Sequence, residues 1–188
     1  MKCKKLCGGC CKRTSPVFFR EIRELEKNYS DRKQRFDSSL ILGCKRCKFG
    51  NIQVIICRPF SRKNRPFPTT FWLVCPYLVR LAGEIEAQGG VHELEEYIIN
   101  HNLIHEWRKY NIQHQAIRIK LSGKLMNKFM WKFRRKKFRD VMRGGVGGIR
   151  VNEGVNVKCL HLQTASFIAM GYHPAGEWLK SKGLHAEK

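Results

Sequence analysis

The chain has 188 residues, 43% of them hydrophobic, with a formal net charge of +22 and a pI of about 10.0. That length admits one domain with an extension or two small units, and the apolar share can fill a real core. The charge says little about fold but argues against a chain without acidic partners: it predicts nucleic acid or ribosome, or less readily an anionic membrane surface.

Nine cysteines is an odd number, and no secretory apolar stretch precedes them. Reduced thiols or metal ligation are therefore expected rather than disulfides, and a cytoplasmic location with them. No run approaches the length of a membrane span.

Residues 1–37 read as a basic, cysteine-rich arm followed by a helix. Cys3, Cys7, Cys10 and Cys11 offer thiols for zinc or a cluster, against the ordinary reading of a loose terminus. Pro16 suits a helix start, and Phe18, Ile22 and Leu25 recur at helical spacing. Residues 38–180 read as a single α+β domain, and residues 181–188 as a polar tail.

The domain opens with a short strand over residues 39–43. Cys44 and Cys47 follow on a predicted turn, half of a zinc knuckle that needs two further ligands. The β-branched run at residues 52–57 is a strong strand, and residues 71–74 another. Pro76 fits the first turn of a helix, which places Cys75 at a strand-to-helix junction where the helix N-terminus favours a thiolate. Gly89 and Gly90 end that helix. Further helices follow, and on them His101 and His105 sit one turn apart, most simply as surface histidines.

A basic amphipathic helix is predicted near residues 117–143, bent at Gly123. Ile117, Leu121, Leu125, Phe129 and Phe133 recur every four residues, and residues 117–139 hold no acid. Arg134, Arg135, Lys136 and Lys137 are its densest cations, candidates to meet phosphates. A glycine loop comes next: Gly144, Gly145, Gly147 and Gly148, with Lys158 beyond. Glycines ahead of a helix start can turn backbone N–H groups towards an anion; as often they are only turns. Cys159 and His161 then stand two apart at the start of an apolar run, residues 157–170, predicted as a buried helix. A cysteine and a histidine so placed can ligate a metal or pair as thiolate and base.

Three pieces carry a family resemblance: the cysteine turn at residues 44–50, the block from Pro66-Phe67-Pro68-Thr69 to Cys75-Pro76 with Glu86 and Gly89, and Val157-Lys158-Cys159-Leu160-His161 with the preceding Gly144-Gly145. The chain resembles the bacterial domain-of-unknown-function family numbered five hundred and one, over about residues 40–179. The resemblance implies no activity. Its members often have a second histidine two places after the one matching His161, where this chain has Gln163, and Asn-Pro where it has His173-Pro174. If that second histidine is a ligand or base, this chain works without it or His173 replaces it.

The expected fold is α+β, a small antiparallel sheet in the first half packed by helices from the second half. Two functional classes follow. In the first, Cys75, Cys159 and His161, with Cys44 and Cys47, bind zinc or an iron–sulfur cluster or carry out thiol chemistry on an anion-binding protein. In the second, the protein is a non-catalytic module for nucleic acid or ribosome, with structural cysteines. Serine-hydrolase, Walker and dinucleotide motifs are absent.

Overall fold

The β-branched run forms the middle strand of a three-stranded antiparallel sheet in the computed structural model, which describes residues 15–30, 37–61, 66–123, 136–151 and 154–186. The strands are β1 (Ile41–Arg46), β2 (Ile52–Cys57) and β3 (Phe71–Leu73), side by side in chain order. β2 is covered on both faces, which is why it reads as a continuous apolar run rather than an alternating one. Val54 and Ile56, with Phe71 and Leu73 of β3, pack against Leu78, Ala165 and Ala169. Ile55 and Cys57 face the other way, towards Leu25, Leu40 and Val74.

Seven helices are described. Helix α1 (Phe19–Ser30) lies by β1, and α2 (Pro76–Ala87) follows β3 directly, with Cys75 as N-cap and Pro76 in the first turn. Gly89, at φ 89°, makes the left-handed break before α3 (Gly90–Asn100). Next come α4 (Ile104–Ser122), α5 (Lys136–Arg143), α6 (Leu160–Met170) and α7 (Gly176–Ser181). Helix α6 packs on β3 and β2 and also touches α2. The architecture is the expected α+β. A second core joins α2, α3 and α4 to the C-terminal segment through Ala82, Leu94, Ile98, Trp107, Tyr110, Leu160, Trp178 and Leu179. Among the described residues no helix is long and apolar enough to cross a membrane.

Several boundaries differ from the sequence reading. Cys44 lies inside β1, which runs to Arg46, so only Cys47 belongs to the turn. The apolar run at residues 157–170 becomes helical only at Leu160, because Cys159 is extended (φ −168°, ψ 156°). Leu184, in the expected polar tail, is fully buried in the second core. Residues 117–122 are the end of α4, which is continuous from Ile104 and capped at Gly123. Residues 124–135, with Arg134 and Arg135, lie outside the described residues; Lys136 begins α5.

Arg118, within the stretch predicted as a basic helix, does not face solvent. It is 1% exposed, and its guanidinium donates to the carbonyls of Val141 (2.9 Å), Gly144 (2.5 Å) and Gly145 (2.7 Å). Burial lowers it to about 10, which still leaves it charged at neutral pH. The planar fork of donors matches the end of α5 and the loop after it, which turn three carbonyls to one side. Asn111 completes the anchorage: its Oδ1 accepts from Val146 N at 2.9 Å, and its Nδ2 donates to Trp107 O at 2.9 Å. Replacing Arg118 by Leu removes the donor to the carbonyls of Val141 and Gly144 and one of two donors to that of Gly145, and is expected to lower the unfolding free energy by about 3 kcal/mol, read from the urea midpoint. Arg118→Lys, with a point charge on a different stem, should recover only part of that loss.

Candidate metal centre

The site is built at the N-terminus of α6. A helix begins with backbone N–H groups that have no partner inside it, and Cys159, the N-cap, supplies no side-chain bond to them. The acceptor comes instead from the last turn of α2. Glu86 Oε1 accepts from Leu160 N (2.5 Å) and from His161 N (3.2 Å). The same oxygen lies 2.9 Å from His161 Nδ1, and the other ring nitrogen, Nε2, lies 3.0 Å from the carbonyl of Val79. Neither a carboxylate nor a carbonyl donates, so the ring carries a proton on both nitrogens. Its affinity for that second proton is raised to about 9, first by the hydrogen bond with Cys159 and then by Glu86, against the opposing effect of burial.

Glu86, Cys159 and His161 each bring one ligand atom to within 4.8 Å of the others, and all three residues are partly exposed. The side chains of His161 and Glu86 keep 33% and 25% of their accessibility, so the cluster can be reached from water. Sulfur, nitrogen and oxygen donors together suit zinc. A histidine that ligates a metal through one nitrogen usually donates its other N–H to a carbonyl or carboxylate, and Val79 O stands where that bond is needed.

Cys75 does not join this group. It caps the far end of α2, eleven residues from Glu86, which at 1.5 Å per residue is roughly 16 Å along the axis. Cys44 and Cys47 belong to no three-ligand group among the described residues. Cys44 is fully buried, its Sγ is 3.5 Å from Ser15 O, and burial raises its thiol. Cys57, also buried, is pushed up to about 12. His101 stacks on Tyr97 with ring centroids 3.9 Å apart and is likewise outside any such group, as is His105.

The glycine loop is buried at Gly144, Gly145 and Gly147. The N–H groups of Gly145, Gly148 and Ile149 are taken by backbone carbonyls of Ile149, Gly145 and Val146, and that of Val146 by Asn111. Its carbonyls face cations of the same chain: Arg118 as above, and Lys158 Nζ at 3.4 Å from Gly147 O. A Cβ on Gly144 would lie 2.6 Å from Gly148 Cα, and one on Gly148 would lie 2.9 Å from Pro68 Cβ. The glycines thus serve close packing. Lys136 is exposed at the start of α5; the side chain of Lys137 lies outside the described residues.

The family model for a protein of unknown function, DUF501, matches residues 43–181. The chain belongs to the DUF501 family. No curated protein and no solved structure matches it. Glu86, Cys159 and His161 all lie within the segment matched to DUF501.

Sequence reading names Cys159 and His161 but gives Glu86 no role. The signal available for Glu86 is its place in the final turn of a helix, where the macrodipole disfavours an acid and some outside partner is called for. The raised His161 fixes a direction for pH. The stability it contributes is fully present below about pH 6.5 and is lost as pH rises through about 9. An NMR titration should place its midpoint near pH 9, and Cys159→Ser and Glu86→Gln should each move it down.

Proposed function

We propose that Glu86, Cys159 and His161 hold a divalent metal, zinc by the chemistry of the donors, in a site of the catalytic kind. The observation that carries this reading is the convergence of three different donor atoms within 4.8 Å, with Val79 O already placed to hold the far nitrogen of His161. In the metal-free state a proton joins His161 Nδ1 to Glu86. Loading replaces that proton, so Nδ1 becomes a ligand while Nε2–H continues to donate to Val79. Three protein ligands leave a fourth position open, as catalytic zinc sites do and structural ones do not. A bound divalent ion there supplies Lewis-acid activation of water or of a substrate oxygen. An iron–sulfur cluster is held mainly by thiolates, and this group offers one sulfur.

A second reading rests on the charge of His161. An imidazolium beside a thiol at a helix N-terminus is the setting in which cysteines become nucleophilic. Metal binding and thiol reactivity then compete for the same sulfur.

Purified full-length protein dialysed against zinc should gain one equivalent that Cys159→Ser and His161→Ala both lose and that Cys44→Ser with Cys47→Ser keeps. Affinity should rise with pH up to about 9, since His161 must give up a proton to bind. Cobalt in place of zinc should show a thiolate charge-transfer band that disappears in Cys159→Ser. Full retention of that equivalent in Cys159→Ser rules the centre out. Rapid alkylation of Cys159, equal with and without zinc, would favour the thiol reading instead.

A further inference from the structure

Three phenylalanines stand in water at one corner of the fold. Phe18 and Phe19, where α1 begins, are 63% and 69% exposed, and Phe49, in the turn after β1, is 73% exposed. A soluble surface seldom groups large apolar side chains without use for them. Each of these rings also has a cation beside it. The guanidinium of Arg23 lies 4.6 Å from the Phe19 centroid and that of Arg46 5.9 Å from Phe18, while Lys48 Nζ lies 5.1 Å from Phe49.

The corner is held firmly. Arg46 donates to both oxygens of Glu21 (2.6 and 3.0 Å), to Pro16 O (2.9 Å) and to Gly50 O (2.9 Å). One guanidinium thus ties the start of α1 to the turn that carries Phe49. Ser15 pairs with Cys44 of the edge strand β1 through backbone bonds of 3.1 and 3.0 Å. Glu21 is neutralised by Arg46, and Glu24 by Arg20 at 3.5 Å.

We propose that this corner binds single-stranded nucleic acid, with bases stacking on Phe18, Phe19 and Phe49 and phosphates meeting Arg23 and Lys48, while Arg46, held by Glu21, keeps the corner in shape. Exposed aromatic rings interleaved with cations are the recognition pattern for single strands, because every unpaired base presents a face to stack. A duplex hides those faces and would engage only the charge. The inference does not depend on the metal centre, which lies on α2 and α6.

Fluorescence anisotropy of the full chain with a labelled oligouridylate of about twelve nucleotides, within the site size of one small domain, tests it. The single strand should bind more tightly than a duplex of the same length. Phe18→Ala, Phe19→Ala and Phe49→Ala should each weaken binding on the order of tenfold, with a log–log salt slope near −0.7 per phosphate engaged. The rings are exposed, so the melting temperature should hold; if the triple variant melts early, Phe49→Ala alone, in its turn, carries the test. Equal affinity in these variants overturns the proposal, and so does equal affinity for the duplex. Ring-dependent binding to phosphatidylserine vesicles without ring-dependent binding to the oligonucleotide would assign the corner to a membrane surface. Self-association that disappears with the rings would assign it to a second copy of the chain.

Discussion

One carboxylate, Glu86, sets the geometry on which the site depends. At the end of α2 it sits against an unfavourable dipole, and at the start of α6 it meets a favourable one. Packing the two helices side by side lets a single oxygen bridge both. The consequence for chemistry lies in what it relieves. An N-cap side chain is ordinarily bound to the helix it caps. Because Glu86 caps α6 from outside, the side chain of Cys159 is left unused by the helix and faces the ring of His161. The same oxygen then orients that ring, so capping, orientation and ligation converge on one group.

Arg118 provides the second constraint. The loop from Gly144 to Gly148 leads towards α6, and its position is held by a buried cation whose three acceptors are carbonyls rather than carboxylates. A buried charge without such partners costs several kcal/mol, so the loop and the arginine need each other. Glycine loops have two poles. N–H groups turned outward make an anion cradle; carbonyls turned inward make a cage for a cation. Here the cage is formed, and the cation is the protein's own. The same fact tempers any count of surface charge, since the +22 of the chain includes a guanidinium that never meets solvent.

What could be read from the sequence was local. The run at residues 52–57, Pro76 in a first turn and the break at Gly89 each depend on neighbours in the chain, and each stands where it was expected. Cys75 does sit at a strand-to-helix junction. Its distance from Cys159 is a matter of which end of α2 meets α6, and no local pattern encodes that. Cys159 and His161 are adjacent enough to be noticed together; Glu86 is 75 residues from His161 and becomes visible only when the helices are packed. Arg118 looked like one more cation in a basic stretch because periodicity places it on a helix without saying which of its faces the loop will cover. The Cys-x-x-Cys spacing gave the right turn but the wrong start for it. It is a turn motif, and strand β1 continues through its first cysteine.

The two departures from the family pattern meet in the structure. Residues two apart on a helix point in nearly opposite directions, so position 163 cannot face the site that His161 faces. Gln163 is fully buried instead, and its Oε1 lies 3.0 Å from His173 Nε2. Ala175 N donates to His173 Nδ1 at 3.1 Å, which leaves the proton on Nε2 and the ring neutral. Burial among Trp107, Tyr110 and Phe167 lowers His173 to about 3 and keeps it so. The resemblance implies histidine at position 163 and asparagine at 173, where this chain has glutamine and histidine. In this chain the carboxamide of Gln163 and the imidazole of His173 face each other across one gap. Position 163 therefore belongs to a hydrogen bond between α6 and the segment entering α7. That bond lies apart from the group formed by Glu86, Cys159 and His161.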